Sequence, residues 1–247
     1  MLIKSLLLAA LLSAECMALG RKVPSNVKDL YNYAKNHRCR KPLSSSFQDG
    51  HGRKGFVYCG DRLDSQGIIY ITGPSNSRGL ADMDVDCDGA NRSAGDCKND
   101  PSGQDQTAFK DEVKKYGIPD LDSNKHGYVV LGNEGSSPSF NPAKYGIKPL
   151  SVVAVVCNNR LFYGVWGDTN GGTLVGETSV SLAQACFPKE GLNGDNGHEK
   201  HDVLYIAFKG NAAKPGAKGA NWKAKNFAGF EKSLEHIGNK LVKKVSA

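Results

Sequence analysis

Short apolar segments separated by glycine, proline and asparagine make up most of the chain. Their length and composition predict β-strands at 56–59, 68–72, 128–131, 150–157, 161–166, 174–180 and 203–208. The pair Asn158-Asn159 separates two of these segments and predicts a tight hairpin turn. With 29 glycines among 247 residues, the pattern indicates a mostly β domain of the α+β class rather than a helical bundle.

Three other segments place apolar residues at helical spacing. The predicted helices span 25–37, 102–116 and 227–241. Ser102 and Asp105 match a capping box at the start of the second helix. The apolar stripe of the last helix suits either a membrane surface or the body of the domain, and we favour docking on the domain.

The first twenty residues have the pattern of a secretory signal peptide. Lys4 precedes the apolar run 6–12, and the small residues Ala18 and Gly20 follow it. The rest of the sequence contains no apolar run long enough to span a membrane. We therefore expect a secreted protein without integral membrane association.

Six cysteines follow the predicted signal peptide, at positions 39, 59, 87, 97, 157 and 186. An even number of cysteines in a secreted chain predicts three disulfides, for which fifteen pairings are possible. Cys87 with Cys97, which would close a short loop, is the first pairing to expect. A zinc site is less favoured, because no C-x-x-C pair occurs.

The formal charge of +7 is unevenly distributed along the chain. Nine lysines and two glutamates lie in 209–247, whereas 82–122 contains eleven acidic and five basic residues. Because salt screens charges beyond about 8–10 Å, an acidic surface attracts a cationic ligand whatever the total charge. The distribution therefore favours a cationic partner over nucleic acid.

Aspartates alternate along the most acidic segment, at Asp82, Asp84, Asp86 and Asp88. In an extended strand they would lie on one face, where their mutual repulsion requires a compensating cation. The spacing matches the first half of a calcium-binding loop, but the position of the final glutamate is Gly95. We rank calcium below a cationic substrate or a hydrogen-bonded turn.

A second acidic pair, Asp168 and Glu177, flanks a glycine-rich segment. A two-residue turn at Gly171-Gly172 would place Glu177 diagonally across from Asp168, with Cβ atoms about 7–8 Å apart. Inverting glycosidases hold their two carboxyl groups about 6.5–9.5 Å apart. A loop of odd length would instead separate the two, leaving Asp168 as a turn cap and Glu177 as a solvated strand residue.

A third group contains two histidines, His198 and His201, with Glu199 between them. Such residues can serve as acid and base in a secreted ribonuclease, whereas the spacing of a zinc protease is absent. A solvated loop with one structural histidine is the interpretation we favour.

Several longer motifs together resemble the fungal chitosanases of glycoside hydrolase family 75. They are Tyr58-Cys59-Gly60-Asp61, Asp84-Val85-Asp86-Cys87-Asp88-Gly89, Tyr145-Gly146-Ile147-Lys148-Pro149-Leu150, Val165-Trp166-Gly167-Asp168-Thr169-Asn170-Gly171, Val175-Gly176-Glu177 and Ser181-Leu182-Ala183. The resemblance implies cleavage of β-1,4 bonds between glucosamine units inside chitosan, with inversion. It also implies a small six-stranded β-barrel similar to the double-psi barrel of inverting endoglucanases, with flanking helices.

The resemblance implies that the essential carboxylates are Asp168 and Glu177, which we expect to act as base and acid respectively. No cofactor or metal is expected. Residues expected to contact the substrate are Asp61, Asp84, Asp86, Asp88, Trp166 and Asn170. The expected organisation is a signal peptide at 1–20, a catalytic domain at 21–208 and a Lys-rich C-terminal segment with a docked helix at 209–247.

Two alternative functions remain open at this point. One is a secreted ribonuclease that uses His198 or His201. The other is a calcium-stabilised module that binds sugar without catalysis. In the favoured interpretation the protein is a monomer, and its partner is the chitosan polysaccharide rather than nucleic acid.

Overall fold

A computed structural model of the chain describes residues 20–74 and 79–246. The strands are β1 (Arg21–Lys22), β2 (Pro42–Gln48), β3 (Lys54–Cys59), β4 (Ile68–Thr72), β5 (Ala81–Asp86), β6 (Tyr128–Asn133), β7 (Val152–Cys157), β8 (Arg160–Asn170), β9 (Glu177–Ser179) and β10 (His198–Phe208). The helices are α1 (Ser25–Asn36), α2 (Leu63–Gln66), α3 (Lys110–Lys114), α4 (Val180–Cys186) and α5 (Phe227–Val242). The mostly β prediction is confirmed. The predicted signal peptide lies outside the described residues, apart from Gly20.

The ten strands form one sheet, and six of them pair in a cycle. Strand β5 pairs with β9, β9 with β6, β6 with β8, β8 with β7, β7 with β10, and β10 with β5. The β5–β9 and β6–β8 pairs are parallel, and the other four pairs are antiparallel. Strands β4, β3 and β2 extend the sheet beyond β10, and β1 pairs with β8.

The predicted hairpin between the two most apolar segments is confirmed as β7 and β8, which pair from Val152 opposite Val165 to Cys157 opposite Arg160. Asn158 and Asn159 form its turn with positive φ angles of 46° and 57°. Asparagine tolerates this left-handed conformation better than most residues, which explains the turn.

Helix α5 packs its apolar stripe against β7 and β8. Phe230, Leu234 and Leu241 are buried in the same core cluster as Tyr163 of β8. Glu231, on the same helix, accepts a hydrogen bond from the backbone N–H of Tyr163 and forms an ion pair with Arg21. The C-terminal helix is therefore part of the domain core. Within 20–74 and 79–246, no helix combines the length and apolar character needed to cross a bilayer.

Three disulfides join all six cysteines of the domain. They are Cys39–Cys59, Cys87–Cys97 and Cys157–Cys186. The predicted Cys87–Cys97 pairing and the predicted number of disulfides are both confirmed. The first and last pairings connect segments that are 20 and 29 residues apart.

The helix predicted at 102–116 is wrong over most of its length, because only the five residues of α3 are α-helical. Side chains outside the segment capture the backbone N–H groups that a helix would have used. Asp120 accepts from the N–H of Thr107, and Asp168 accepts from the N–H of Ala108. The first half of the predicted helix is therefore a loop, and carboxylate side chains hold it in place by accepting hydrogen bonds from its backbone N–H groups.

The predicted hairpin between Asp168 and Glu177 is also wrong, because β6 lies between β8 and β9. Asp168 is aligned with Val130 of β6 rather than with a residue of β9. Asn133, at the end of β6, donates hydrogen bonds to the carbonyl groups of Gly172 and Leu174. These bonds hold the glycine-rich segment as a crossing loop instead of a two-residue turn.

Several predicted boundaries also change. The strand predicted at 174–180 is limited to β9, and α4 begins at Val180. The segment from His198 to Asp202, predicted as a solvated loop, is the first part of β10.

Candidate active site

A cleft of about 150 Å³ opens where β5 and β8 end and β9 begins. Its lining includes the five carboxylates Asp86, Asp88, Asp100, Asp168 and Glu177. None of its described lining residues is a lysine, arginine or histidine. The cleft therefore gathers five acidic groups with no cationic side chain in its own described lining.

Asp168 is the most deeply placed of these carboxylates, with 4 % of its surface exposed. Its Oδ1 atom accepts hydrogen bonds from the N–H groups of Ala108 (2.8 Å) and Thr169 (2.7 Å). Its Oδ2 atom is buried and has no hydrogen-bond partner among the described residues. Burial raises the pKa of Asp168 to about 7, in opposition to the two backbone hydrogen bonds. One fixed oxygen and one unpartnered oxygen suit a proton acceptor.

Glu177 begins β9, where its Cα is aligned with that of Asp84 on β5. The side-chain amide of Asn170 donates a hydrogen bond of 2.6 Å to Glu177 Oε2. Burial raises the pKa of Glu177 to about 8, and the negative charges of Asp84 and Asp168 add to the rise. A glutamate with this pKa holds its proton at neutral pH and can donate it.

Asp86 and Asp88 stand beside Asp168, and each of the three carboxylates has an oxygen within 4.8 Å of the other two. Burial raises the pKa of Asp88 to about 6, and burial together with the charge of Asp168 raises the pKa of Asp86. Ionised carboxylates this close repel one another, and a cation bound between them relieves that repulsion. The cluster differs from the calcium-loop pattern considered in the sequence, because Asp168 takes the place of Asp84.

Asp84 does not line the cleft. Its Oδ1 atom lies 2.9 Å from Nε2 of His51, which belongs to the turn between β2 and β3. Asp61 is also outside the cleft lining, and its Oδ1 atom accepts hydrogen bonds from the backbone N–H groups of Arg40 and Lys41. The expected contacts of Asp61 and Asp84 with substrate find no support in this placement.

Trp166 supports the cleft from within. It is 3 % exposed, and its indole N–H donates a 2.9 Å hydrogen bond to the backbone carbonyl of Asp168. The ring of Phe109 packs against it edge-on at 4.9 Å between centroids. A ring enclosed in this way offers no face to a sugar, so the expected stacking finds no support either.

The structure brings together Asp86, Asp88, Asp168, Asn170 and Glu177 of the residues predicted from sequence. It adds Asp100 and Gln104, which the sequence analysis missed. Gln104 lies inside the incorrectly predicted helix at 102–116, and Asp100 lies two residues before the start of that helix. A signal was present in the Pro101-Ser102-Gly103 segment, whose composition is typical of a loop.

His198 occupies a separate groove of about 720 Å³. Its ring stacks on Phe187, and its two nitrogens lie 2.7 Å from Glu190 and 3.0 Å from Asp202. Both ring nitrogens of His198 therefore have carboxylate partners, which indicates a structural role for this histidine.

Two carboxyl groups with raised pKa values lining one cleft are an arrangement that glycoside hydrolases use for acid and base catalysis. A family model described as fungal chitosanase of glycosyl hydrolase group 75 matches residues 83–244. The matched span contains all five cleft carboxylates and helix α5. The chain belongs to this family, and it is a glycoside hydrolase.

Individual relatives agree with the family model. Endo-chitosanase B of Aspergillus oryzae is 55 % identical over 222 residues, which cover 89 % of this chain and 90 % of the relative. An endo-chitosanase of Aspergillus fumigatus is 54 % identical over 227 residues, which cover 91 % and 92 %. Endo-chitosanase C of Aspergillus oryzae is 39 % identical over 166 residues, or 66 % of this chain and 38 % of that protein. The resemblance inferred from the motifs is confirmed, and the ribonuclease and non-catalytic alternatives are wrong.

Proposed function

We propose that the protein is a secreted endo-chitosanase that hydrolyses β-1,4 bonds between glucosamine units with inversion. The observation that carries the proposal is the cleft lined by five carboxylates and by no described cationic side chain. Chitosan is a polycation when its amines are protonated, so such a cleft attracts it over neutral polysaccharides. The names of the relatives support the same substrate and an internal mode of cleavage.

Glu177 is the proposed general acid. Its raised pKa keeps it protonated at neutral pH, and the hydrogen bond from Asn170 to Oε2 leaves Oε1 to carry the proton. Glu177 transfers this proton to the glycosidic oxygen as the bond to the anomeric carbon breaks.

Asp168 is the proposed general base. Its unpartnered Oδ2 atom accepts a proton from water, while the N–H groups of Ala108 and Thr169 hold the other oxygen in place. The water oxygen then bonds to the anomeric carbon from the face opposite the leaving group. One proton enters Asp168 and one leaves Glu177, and exchange with solvent restores both groups.

Asp86 and Asp88 are the proposed binding groups for the glucosamine ammonium beside the cleaved bond. Their oxygens lie next to Asp168, so a bound ammonium would lower the pKa of Asp168 and keep the base ionised. An acetylated nitrogen carries no charge and gains nothing from these carboxylates. Selection of chitosan over chitin follows from this difference.

We also propose that the cycle of six paired strands is a closed barrel of the double-psi type. Two observations support it: the pairing returns to β5 after six strands, and two of the six pairs are parallel. An experimental structure in which β10 pairs with only one of β5 and β7 would leave the sheet open and contradict the proposal.

Secretion as a monomer is part of the same proposal. The three disulfides support an oxidising compartment, in agreement with the signal-like sequence at 1–20. N-terminal sequencing of the protein recovered from a fungal culture medium tests cleavage near Gly20, and light scattering tests the monomer.

The catalytic proposal is tested by release of reducing ends from soluble chitosan, chitin and a cellulose derivative, with Glu177→Gln and Asp168→Asn beside the wild type. Asp195→Asn, at an exposed loop position, is the matched control. We expect activity on chitosan, its loss in the two cleft variants and full activity in the control. Nuclear magnetic resonance of fresh product should show the α-anomer first. Absence of activity, an unaffected Glu177→Gln enzyme or initial β-anomer would each contradict the proposal.

A further inference from the structure

Asp82 is a carboxylate on β5 that the catalytic proposal does not use. It has no exposed surface, and neither of its oxygens has a hydrogen-bond partner among residues 20–74 and 79–246. A buried carboxylate without donors is costly in either protonation state, because the neutral form also brings an O–H group that needs an acceptor. An unsatisfied group of this kind in a native core requires a physical explanation.

Two histidine–aspartate pairs flank Asp82. His201 Nε2 of β10 lies 2.8 Å from Asp49 Oδ2, and His51 Nε2 lies 2.9 Å from Asp84 Oδ1. An oxygen of Asp82 lies within 4.8 Å of the ligand atoms of Asp49 and His201, and likewise of those of His51 and Asp84. Asp82 is thus shared by two triads of metal-ligand atoms.

The first triad is held in place before any ligand arrives. Asp49 is 1 % exposed, and its Oδ1 atom accepts hydrogen bonds from the backbone N–H groups of His51 (2.8 Å) and Arg53 (3.0 Å). These bonds leave Asp49 Oδ2 directed at His201. The ring of His201 is also stacked on Phe56, with 5.4 Å between centroids.

The chemistry of the donors selects the class of ion. Imidazole nitrogen combined with carboxylate oxygen suits zinc and similar divalent transition metals, whereas calcium and magnesium prefer oxygen alone. A zinc site has three or four protein ligands. Either triad supplies three of them, and water or a residue of the second triad can supply the fourth. The second triad offers an entry route, because the side chains of His51 and Asp84 are 39 % and 18 % exposed.

We propose that Asp82, with the pairs Asp49–His201 and His51–Asp84, forms a binding site for a divalent transition-metal ion of the zinc class. The ion supplies the partner that the buried Asp82 oxygens lack. It also joins three separate parts of the chain: the turn between β2 and β3, strand β5 and strand β10. The site is structural, and it lies outside the lining of the catalytic cleft.

The test uses the disulfide-bonded protein without its signal peptide, freed of metal with EDTA and then titrated with Zn²⁺ in a calorimeter. Metal content after gel filtration and the Tm with and without Zn²⁺ provide two further readouts. We expect one tightly bound ion per chain and a rise in Tm that EDTA reverses. No readout depends on chitosan hydrolysis, so the outcome is separate from that of the catalytic proposal.

Asp82→Asn is the decisive variant. It should bind Zn²⁺ at least about tenfold more weakly, while its metal-free Tm stays equal to or above that of the wild type, because an unpaired buried carboxylate is removed. His201→Gln tests the first triad in the same way. His198→Gln is the matched control, since His198 lies on the same strand and pairs with Glu190 and Asp202 but belongs to neither triad.

The proposal is overturned if the wild type retains no Zn²⁺ after gel filtration. It is also overturned if Asp82→Asn retains as much Zn²⁺ as the wild type, because the ion would then lie elsewhere on the surface. Binding of Ca²⁺ in preference to Zn²⁺ would contradict the assigned class of metal.

Discussion

The two ends of strand β5 carry the same alternating aspartates in opposite environments. At the Asp86 end, carboxylates line an open cleft in which no described lining residue is cationic. At the other end, Asp82 lies between two histidine–aspartate pairs. The partners differ because β8 and β9 bring further acids to one end, whereas β10 and the turn between β2 and β3 bring imidazoles to the other.

This comparison shows that a regular acidic pattern does not define one site. The side-chain period of a strand places residues on a face, but elements distant in sequence decide what that face meets. On our proposals, the acidic cleft binds a cationic substrate, whereas the acids paired with histidine bind a metal ion.

The largest expected effect distinguishes the two ends by activity. Asp168→Asn should lower kcat on chitosan by about 10²–10⁴-fold, because it removes the proposed base. Asp84→Asn should lower kcat by tenfold or less, because Asp84 is paired with His51 outside the cleft lining. Steady-state kinetics on soluble chitosan measures both, and equal losses would remove the functional distinction between the two ends.

A smaller effect is expected from Asn170→Ala. The hydrogen bond from Asn170 favours the ionised form of Glu177, so its loss should raise the pKa of Glu177 further. We expect kcat to fall about tenfold through misplacement of the acid, and the basic limb of kcat/KM to move to higher pH. A basic limb that stays in place or moves to lower pH would contradict the assignment of Glu177 as the acid.

Asp88→Asn should shift the pH profile in the opposite direction. The negative charge of Asp88 raises the pKa of both Asp168 and Glu177, so its removal should lower both. Because Asp88 is partly exposed, we expect both limbs of kcat/KM to move to lower pH by about 1 unit or less. Asp195→Asn is the control for a change in overall charge, and equal profiles for the two variants would contradict the prediction.

The smallest expected effect is on stability. Folding raises the pKa of Glu177 to about 8. A carboxyl group with a raised pKa destabilises the folded state increasingly as the pH rises from its unfolded pKa to its folded pKa. Glu177→Gln should therefore melt a few degrees above the wild type at pH 8, given about 2–4 °C per kcal/mol for a chain of this size. At pH 4 the two should melt together. A variant that is less stable at pH 8 would show that the ionised glutamate is favourable in the fold.

Predictions that depend on local signals agree with the structure. The helical spacing of α1, the asparagine pair between β7 and β8 and the short loop between Cys87 and Cys97 are each signals within a short stretch of sequence. The apolar stripe of α5 is of the same kind, because helical spacing alone identifies the buried face.

The two incorrect elements both depended on distant partners. The segment at 102–116 has a capping pattern, but Asp120 and Asp168 accept hydrogen bonds from the N–H groups of Thr107 and Ala108, which the predicted helix would need. The turn at Gly171-Gly172 has the composition of a hairpin, but β6 occupies the edge of β8 where β9 would have paired. In each case a contact between segments outweighed a local preference.

The amino-acid sequence by itself determined most of the local elements, the short disulfide and the family. Only the tertiary structure decided which acids share a cleft and which meet a histidine. Asp49 and His201 are 152 positions apart, yet they face the same buried aspartate. The physical reason is that burial and neighbouring charge set the pKa and the partners of a carboxylate, and both quantities exist only after distant segments have packed.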